Sequence, residues 1–430
     1  MYRFTNLIFS FVLFLAVSTV SAQQSVWYDY NLTYYKIPTA EDGIYRVSPE
    51  ALRNAGLSTQ NLDPRFIRVF HRGQEVAVHI EGESDGVFNE GDFLDFYGRR
   101  NDAELDKKLY TQVDVLPNPY YNTYTDTTAF FLTVTPNQPG KRMTVRPAPS
   151  SDLSQANSFE TEAIRIFADQ YSLGRPYTLG FLLSTYDLGE GWMSSVVSKG
   201  QSRELTFSNL GQVLGSGTAT LEIGLVGRSE NTHIIGISAG SSSSVQRSVG
   251  TATFLGFEST YQTIPLQMSD FGTEGTLVVK VSPQGIQNAD NISISYAKIT
   301  FRKPVGSGDF ESQWMIFPAG GQRVTWPQTT SSYVAVDASD IYNPEKITLT
   351  GGLNFVAGVA GKSSKILVQN QSQIKQVTSL TRVRFRNYLA QPANYILVGH
   401  RELEVLDELF LDRGEVVAGG DPGGDGGFLL

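Results

Sequence analysis

The chain has 430 residues, no cysteine and a formal net charge of −9. The missing cysteine excludes disulfides, thiolate metal ligands and a thiol nucleophile. The acidic balance argues against a nucleic-acid partner, which needs a basic face to neutralise phosphate, and the length allows two or three domains with adequate cores.

The first element is an export signal over residues 1–22. Arg3 supplies the positive start, residues 7–17 (LIFSFVLFLAV) are the apolar stretch, and Ser21 and Ala22 precede Gln23 as a small-residue cleavage site. The stretch is shorter than the ~20 apolar residues of a spanning helix. No later run is long enough either, so no transmembrane segment is expected after cleavage.

Residues 26–35 (VWYDYNLTYY) alternate aromatic and polar side chains, as a half-buried strand does. Two strands then flank the turn Glu41-Asp42-Gly43. Ser48 caps a short helix that has Pro49 at its first position and ends at Gly56. Residues 66–70 and 75–80 read as a hairpin around His71-Arg72-Gly73-Gln74. Strands at 93–97 and 129–134 complete an N-terminal β-rich domain over 23–150, and 147–157 (PAPSSDLSQAN) reads as a linker.

From 158 to 305 the pattern is almost purely short strands, clearest at 291–301 (NISISYAKITF). The tract Ala239–Ser244 reads as a loop within them. Strands at this spacing predict a β-sandwich of jelly-roll type. A further β-rich segment covers 306–390. The apolar run 394–398 (NYILV) reads as a strand buried on both faces, and with a helix-like stretch at 402–411 it starts an α/β domain over 391–412. The Gly-rich residues 413–430 cannot pack a core and read as a disordered tail. The expected fold is mainly β: a small α/β N-terminal domain, a jelly-roll-like sandwich and a further β-rich segment, ending in an incomplete α/β start.

Several of these segments carry a likeness. They are Asp42-Gly43-Ile44-Tyr45-Arg46 with the helix after it, residues 86–98 (GVFNEGDFLDFYG), and Asn118-Pro119-Tyr120 leading to Phe130-Phe131-Leu132-Thr133. Gly189-Glu190-Gly191-Trp192, the 290–301 strand, and Val336-Asp337 with Asn343-Pro344 belong to the same set. Together, over roughly 28–401, they resemble PorU-type proteins of Bacteroidota, which are gingipain-type cysteine peptidases linked to type IX secretion. In that family the catalytic domain opens with a buried strand like Tyr395–Val398, and its His and Cys lie well downstream. The resemblance therefore implies a non-catalytic front, truncated before the peptidase or sortase domain. It implies a structural or docking role, type IX secretion components or cell-surface proteins as partners, and a place in the periplasm, at the outer-membrane surface or outside the cell. The other reading is a surface module that binds carbohydrate or calcium.

No residue is assigned a catalytic role. His400 ends a strand, but a Cys–His pair needs a thiolate. His71, His79 and His233 have no nucleophile motif beside them and no zinc spacing. Glu81, Glu83, Asp85, Asn89, Glu90, Asp92 and Asp95 form an acidic loop turned by Gly82, Gly86 and Gly91. Hard oxygen donors of this kind suit Ca²⁺, with Asp85, Asn89, Glu90 and Asp92 the candidate ligands. A solvated turn, its Asp and Asn side chains bonding backbone N–H groups, explains the same residues. No cofactor is required, and calcium is the one these residues could take. Glu190 and Asp187 are a conceivable carboxylate pair, and Trp192, Tyr177 and Tyr186 a conceivable sugar platform; aromatic residues in β-proteins also build cores.

Overall fold

A computed structural model describes residues 27–110, 112, 115–176, 185–215, 219–286, 289–358 and 361–387. The signal segment, Tyr177, the 394–398 run, His400 and the Gly-rich tail lie outside the described residues. The chain divides at Arg384 into two units, and the elements below all belong to the first.

The first strand begins at Tyr34 and not at residue 26. Residues 27–33 are bends and turns, because Asp29 Oδ1 accepts from the Asn31 backbone at 2.8 Å and closes an Asx turn. Their aromatic residues pack as a cap instead: the Trp27 ring lies 5.4 Å from Phe70 and 5.5 Å from Phe131. Strand Tyr34–Thr39 sits in a five-stranded sheet, in the order Thr381–Val383, Tyr34–Thr39, Thr128–Val134, Ile67–His71, Gln74–Val76. Gly43–Val47 enters a second sheet, between Lys375–Gln376 and Phe93–Gly98, with His79–Glu81 at the far edge. Ile37, Val47, Leu52, Phe96, Phe130 and Leu132 belong to one buried cluster shared by these sheets.

The helix is Pro49–Asn54, and Ser48 Oγ accepts from the Ala51 backbone at 3.2 Å. The expected strand 75–80 is two strands in two sheets. Val76, Ala77 and Val78 are all buried, so the alternation of a half-buried strand fails there. At that corner the Ala77 and Val78 backbones donate to Tyr342 and Lys141.

The middle of the chain is a sandwich of two sheets whose facing strands pair antiparallel. One has the order Arg203–Phe207, Leu277–Pro283, Thr232–Ser242, Val245–Leu255. The other is a ten-stranded sheet that starts Ser259–Leu266, Ala219–Gly227, Asn291–Pro304, Ser158–Ile166, with Val197–Ser198 pairing off its path. Leu221, Ile223, Ile235, Ile237, Val279, Ile292 and Ile299 fill the space between them, each fully buried. The clearest strand of the sequence, 291–301, is the central one. The tract Ala239–Ser244 is mostly strand and not loop: Thr232–Ser242 and Val245–Leu255 form a hairpin through it. A Cβ on Gly240 would lie 1.7 Å from the Val245 carbonyl oxygen, so glycine there serves close approach and not mobility. The sandwich edges are blunted. Pro265 lacks an N–H on the edge strand Ser259–Leu266, and the register shift around Val249 bulges the edge strand Val245–Leu255.

The large sheet continues through Ser312–Phe317, Ser364–Asn370, Tyr333–Asp337 and Glu345–Ile347 to Thr144–Arg146, which pairs in parallel. Its later half shares a core with the pair Gln322–Trp326 and Leu353–Ala357. Ala156, from the expected linker, is buried in that core. Arg146 is 5% exposed; its Nη2 donates to Asp337 at 2.5 Å and to Glu345 at 2.7 Å. Burial raises the Asp337 carboxyl, but bonds from Ser339, Ser364 and Arg146 outweigh it and hold it below its ordinary value.

Candidate functional site

The acidic loop is internally bonded. Asp85 accepts from the Val87 backbone at 2.9 Å and from Asn89 Nδ2 at 2.9 Å. Asp92 accepts from the Asn89 backbone at 2.6 Å, and its carboxylate lies over Gly82, where a Cβ would come within 1.8 Å of Oδ1. Glu90 pairs with Arg53, Glu83 with Arg142, Asp95 with both arms of Arg46, and Glu81 meets His79. Among the described residues, no group of three or more His, Asp or Glu side chains gathers to hold a metal ion.

The histidines are separate from one another. His79 Nε2 faces Lys346 Nζ at 2.7 Å, and burial, followed by that ammonium, lowers its pKa. His71 is stacked on Phe130 at 4.3 Å and donates from Nδ1 to the Ala129 carbonyl at 3.2 Å. Its Nε2 is buried without a partner, and burial lowers its pKa to about 4. His233 is fully buried, with Nδ1 2.6 Å from Asp290, also fully buried, and Nε2 2.8 Å from the Gly256 carbonyl. Sequence reasoning left His233 without a partner, because Asp290 lies 57 residues away. The bond to Asp290 and the contact with Gly256 tie two loops to the start of the strand Thr232–Ser242. Among the described residues, no hydroxyl is hydrogen-bonded to any of these rings.

One constellation stands out. Strands Gln170–Leu173 and Glu190–Met193 form a two-stranded ribbon with Tyr171 opposite Trp192. Glycine frames it: a Cβ on Gly189 would lie 2.8 Å from the Phe257 carbonyl, and one on Gly191 would lie 3.2 Å from the Tyr110 hydroxyl. Glu190 accepts from Tyr171 at 2.9 Å through Oε1 and from the Asp187 backbone at 3.1 Å through Oε2. Its carbonyl accepts from the Tyr110 hydroxyl at 2.8 Å. The Tyr186 hydroxyl is bonded to Tyr171 and lies 2.7 Å from that of Tyr124. Trp192 is edge-on to Tyr171 at 5.4 Å and donates its indole N–H to the Thr123 carbonyl at 2.8 Å. Burial, then the bond to Glu190, pushes the Tyr171 phenol up; burial does the same at Tyr110 and Tyr186.

The cluster joins the 100–127 loop to the ribbon. Glu190 and Tyr186 are both bonded to Tyr171, and Trp192 packs on the same ring, so members of the two groups the sequence raised separately meet at a residue it did not single out. Asp187 enters through its backbone N–H at Glu190, so this contact does not pair the two carboxylates. Tyr110, Tyr124 and Tyr171 were not singled out. The available signal was the spacing of Tyr171 and Trp192 in two strands that pair directly.

No family model and no curated protein matches the sequence. Among solved structures, the chain is similar to dimeric latent PorU from Porphyromonas gingivalis, with a TM-score of 0.58 and 14% identity over 85% of this chain and 34% of that one. It thus spans about a third of that protein's length, and the likeness is one of fold. The fold is PorU-like. A CBM36-1 domain of a multidomain xylanase from the hindgut metagenome of Trinervitermes trinervoides aligns over 32% of this chain and 96% of that one, at 16% identity and a TM-score of 0.21. A carbohydrate-binding module CBM36 in complex with calcium and xylotriose aligns over 33% and 98%, at 13% identity and a TM-score of 0.19. Both scores are too low to bear on this chain's function.

Proposed function

We propose that this chain is an exported, non-catalytic structural or docking module that serves a gingipain-type peptidase or sortase domain of the type IX secretion kind. The observation that carries the reading is the PorU-like fold over most of the chain, combined with a sequence that has no cysteine. A cysteine mechanism needs a thiolate, and these residues supply none. What they do supply is rigidity. The ten-stranded sheet runs from the sandwich to the strand Thr144–Arg146, and Arg146 fastens that strand through two carboxylates. Such a scaffold holds an attached or neighbouring domain at a fixed place.

The reading is tested by expressing the tagged chain in its host, fractionating the cells and crosslinking. Recovery with outer-membrane or periplasmic material, crosslinked to type IX secretion components or cell-surface proteins, is the expected result. A purified chain that cleaves peptides by itself, or one that stays in the cytosol without such neighbours, overturns it.

A further inference from the structure

Three Asn-X-Ser/Thr triplets occur in the chain, at Asn31-Leu32-Thr33, Asn291-Ile292-Ser293 and Asn370-Gln371-Ser372. The fold withholds two of them. Ile292 and Ser293 are fully buried in the central sandwich strand Asn291–Pro304. Asn370 Oδ1 accepts from the Ser372 backbone at 3.0 Å and from its hydroxyl at 2.9 Å, so the acceptor amide and the hydroxyl that a transferase reads are bonded to each other. Asn31 instead is exposed, in a turn ahead of the strand Tyr34–Thr39. We infer that Asn31 is the acceptor for an N-linked glycan, a modification that rests on the export proposed above.

The backbones of Leu32 and Asn31 donate to the Asp29 carbonyl at 3.1 Å and to Asp29 Oδ1 at 2.8 Å, so the triplet stands on a reverse turn. Asn31 Nδ2 donates to the same Oδ1 at 3.0 Å among exposed atoms, a contact that a transferase displaces at little cost. Asp29 also sets this triplet apart: two residues before the asparagine the others have Ala289 and Val368. A transferase with a cationic peptide groove reads that carboxylate. Asn31 precedes every described strand, so on export it is presented before the sheets close. The donor is a glycan carried on a polyprenyl pyrophosphate. Asn31 Nδ2 bonds to the anomeric carbon, and that carbon's bond to the pyrophosphate oxygen breaks. Pyrophosphate leaves with the electron pair, and the amide proton passes to a carboxylate of the transferase. The glycan adds solubilising bulk to the segment whose Trp27 caps Phe70 and Phe131.

The test isolates the tagged chain from its host and analyses by mass spectrometry the tryptic peptide Gln23–Lys36, in which Asn31 is the sole asparagine. A glycan on Asn31 is expected, lost completely in Asn31→Gln and in Thr33→Ala, kept in Thr33→Ser and unchanged in Asn370→Gln. In a second arm the purified, folded mature chain meets a bacterial oligosaccharyltransferase and a polyprenyl-pyrophosphate glycan. Asn31 should be modified there, and Asn291 and Asn370 should not. The proposal is overturned if protein that starts at Gln23 carries no glycan, if the glycan sits on Ser25 or Thr33, if Thr33→Ala is still modified, or if the reconstituted transfer leaves Asn31 untouched. A chain that keeps Met1 has not been exported, which counts against the docking reading; the reconstituted transfer then decides this proposal by itself.

Discussion

Acid should loosen the N-terminal sheets through His71. The ring is 1% exposed, stacked on Phe130, and its Nε2 has no partner to welcome a proton. Burial lowers its pKa to about 4, against the ordinary 6.5 of an unfolded chain. The fold therefore favours the neutral ring. That contribution is complete above pH 6.5 and is lost as pH falls from 6.5 toward 4. Between pH 7.5 and 5.0 the loss works out to about 2 kcal/mol, or about thirtyfold in an opening equilibrium. Amide hydrogen exchange in the strands Ile67–His71 and Thr128–Val134 reads this locally, once intrinsic rates are corrected for pH. The parent should lose about thirtyfold in protection over that range, and His71→Phe, which keeps the stacking, less than about threefold. His71→Gln serves if the Phe variant does not fold. An equal loss in parent and variant would refute the assignment of the acid sensitivity to this ring.

Three other outcomes follow from the same structure. Arg146→Met leaves Asp337 and Glu345 facing each other without their cation, and should cost about 3–5 kcal/mol in urea unfolding; Arg146→Met with Asp337→Asn should recover part of it. Gly227→Ala places a Cβ 1.8 Å from the Gly256 carbonyl oxygen and 2.6 Å from His233 Nε2. A fall in melting temperature of several degrees is expected, corresponding to about 2 kcal/mol or more. N-terminal sequencing of the chain expressed in its host should begin at Gln23, and an intact Met1 would count against the proposed export signal.

Local rules read the local features well. Ser48 before Pro49 announces a capped helix because both signals act within one turn, and the strand at 291–301 is legible although it is covered on both faces, with Ile292, Ile294, Ala297 and Ile299 in the sandwich core and Ser293, Ser295 and Tyr296 buried opposite. Alternation misleads where the chain turns a corner or caps a sheet. Val76, Ala77 and Val78 turn a corner between two sheets with every side chain inside, and the residues from Trp27 to Thr33 spend their aromatics on capping a sheet without joining it. The Gly/Ser tract misleads for another reason: glycine marks flexibility and tight approach alike, and Gly240 is the second kind. In the site, Glu190 and Trp192 are visible in their own motif. Tyr110 reaches the Glu190 carbonyl from 80 residues away and Tyr124 reaches Tyr186 from 62, and one sequence does not encode such pairings in its spacing.

The order of synthesis and the order of assembly diverge in this chain. Tyr34–Thr39 and Gly43–Val47 are made first, but each takes an edge partner from the last described strands, Thr381–Val383 and Lys375–Gln376. Thr144–Arg146 likewise waits for Glu345–Ile347. Closing loops of this length is slow, and the reward comes only after the late strands emerge. A chain threaded through a membrane pore must still be unfolded when its beginning reaches the far side. On the export proposed above, delayed edge pairing would give the N-terminal sheets that latitude.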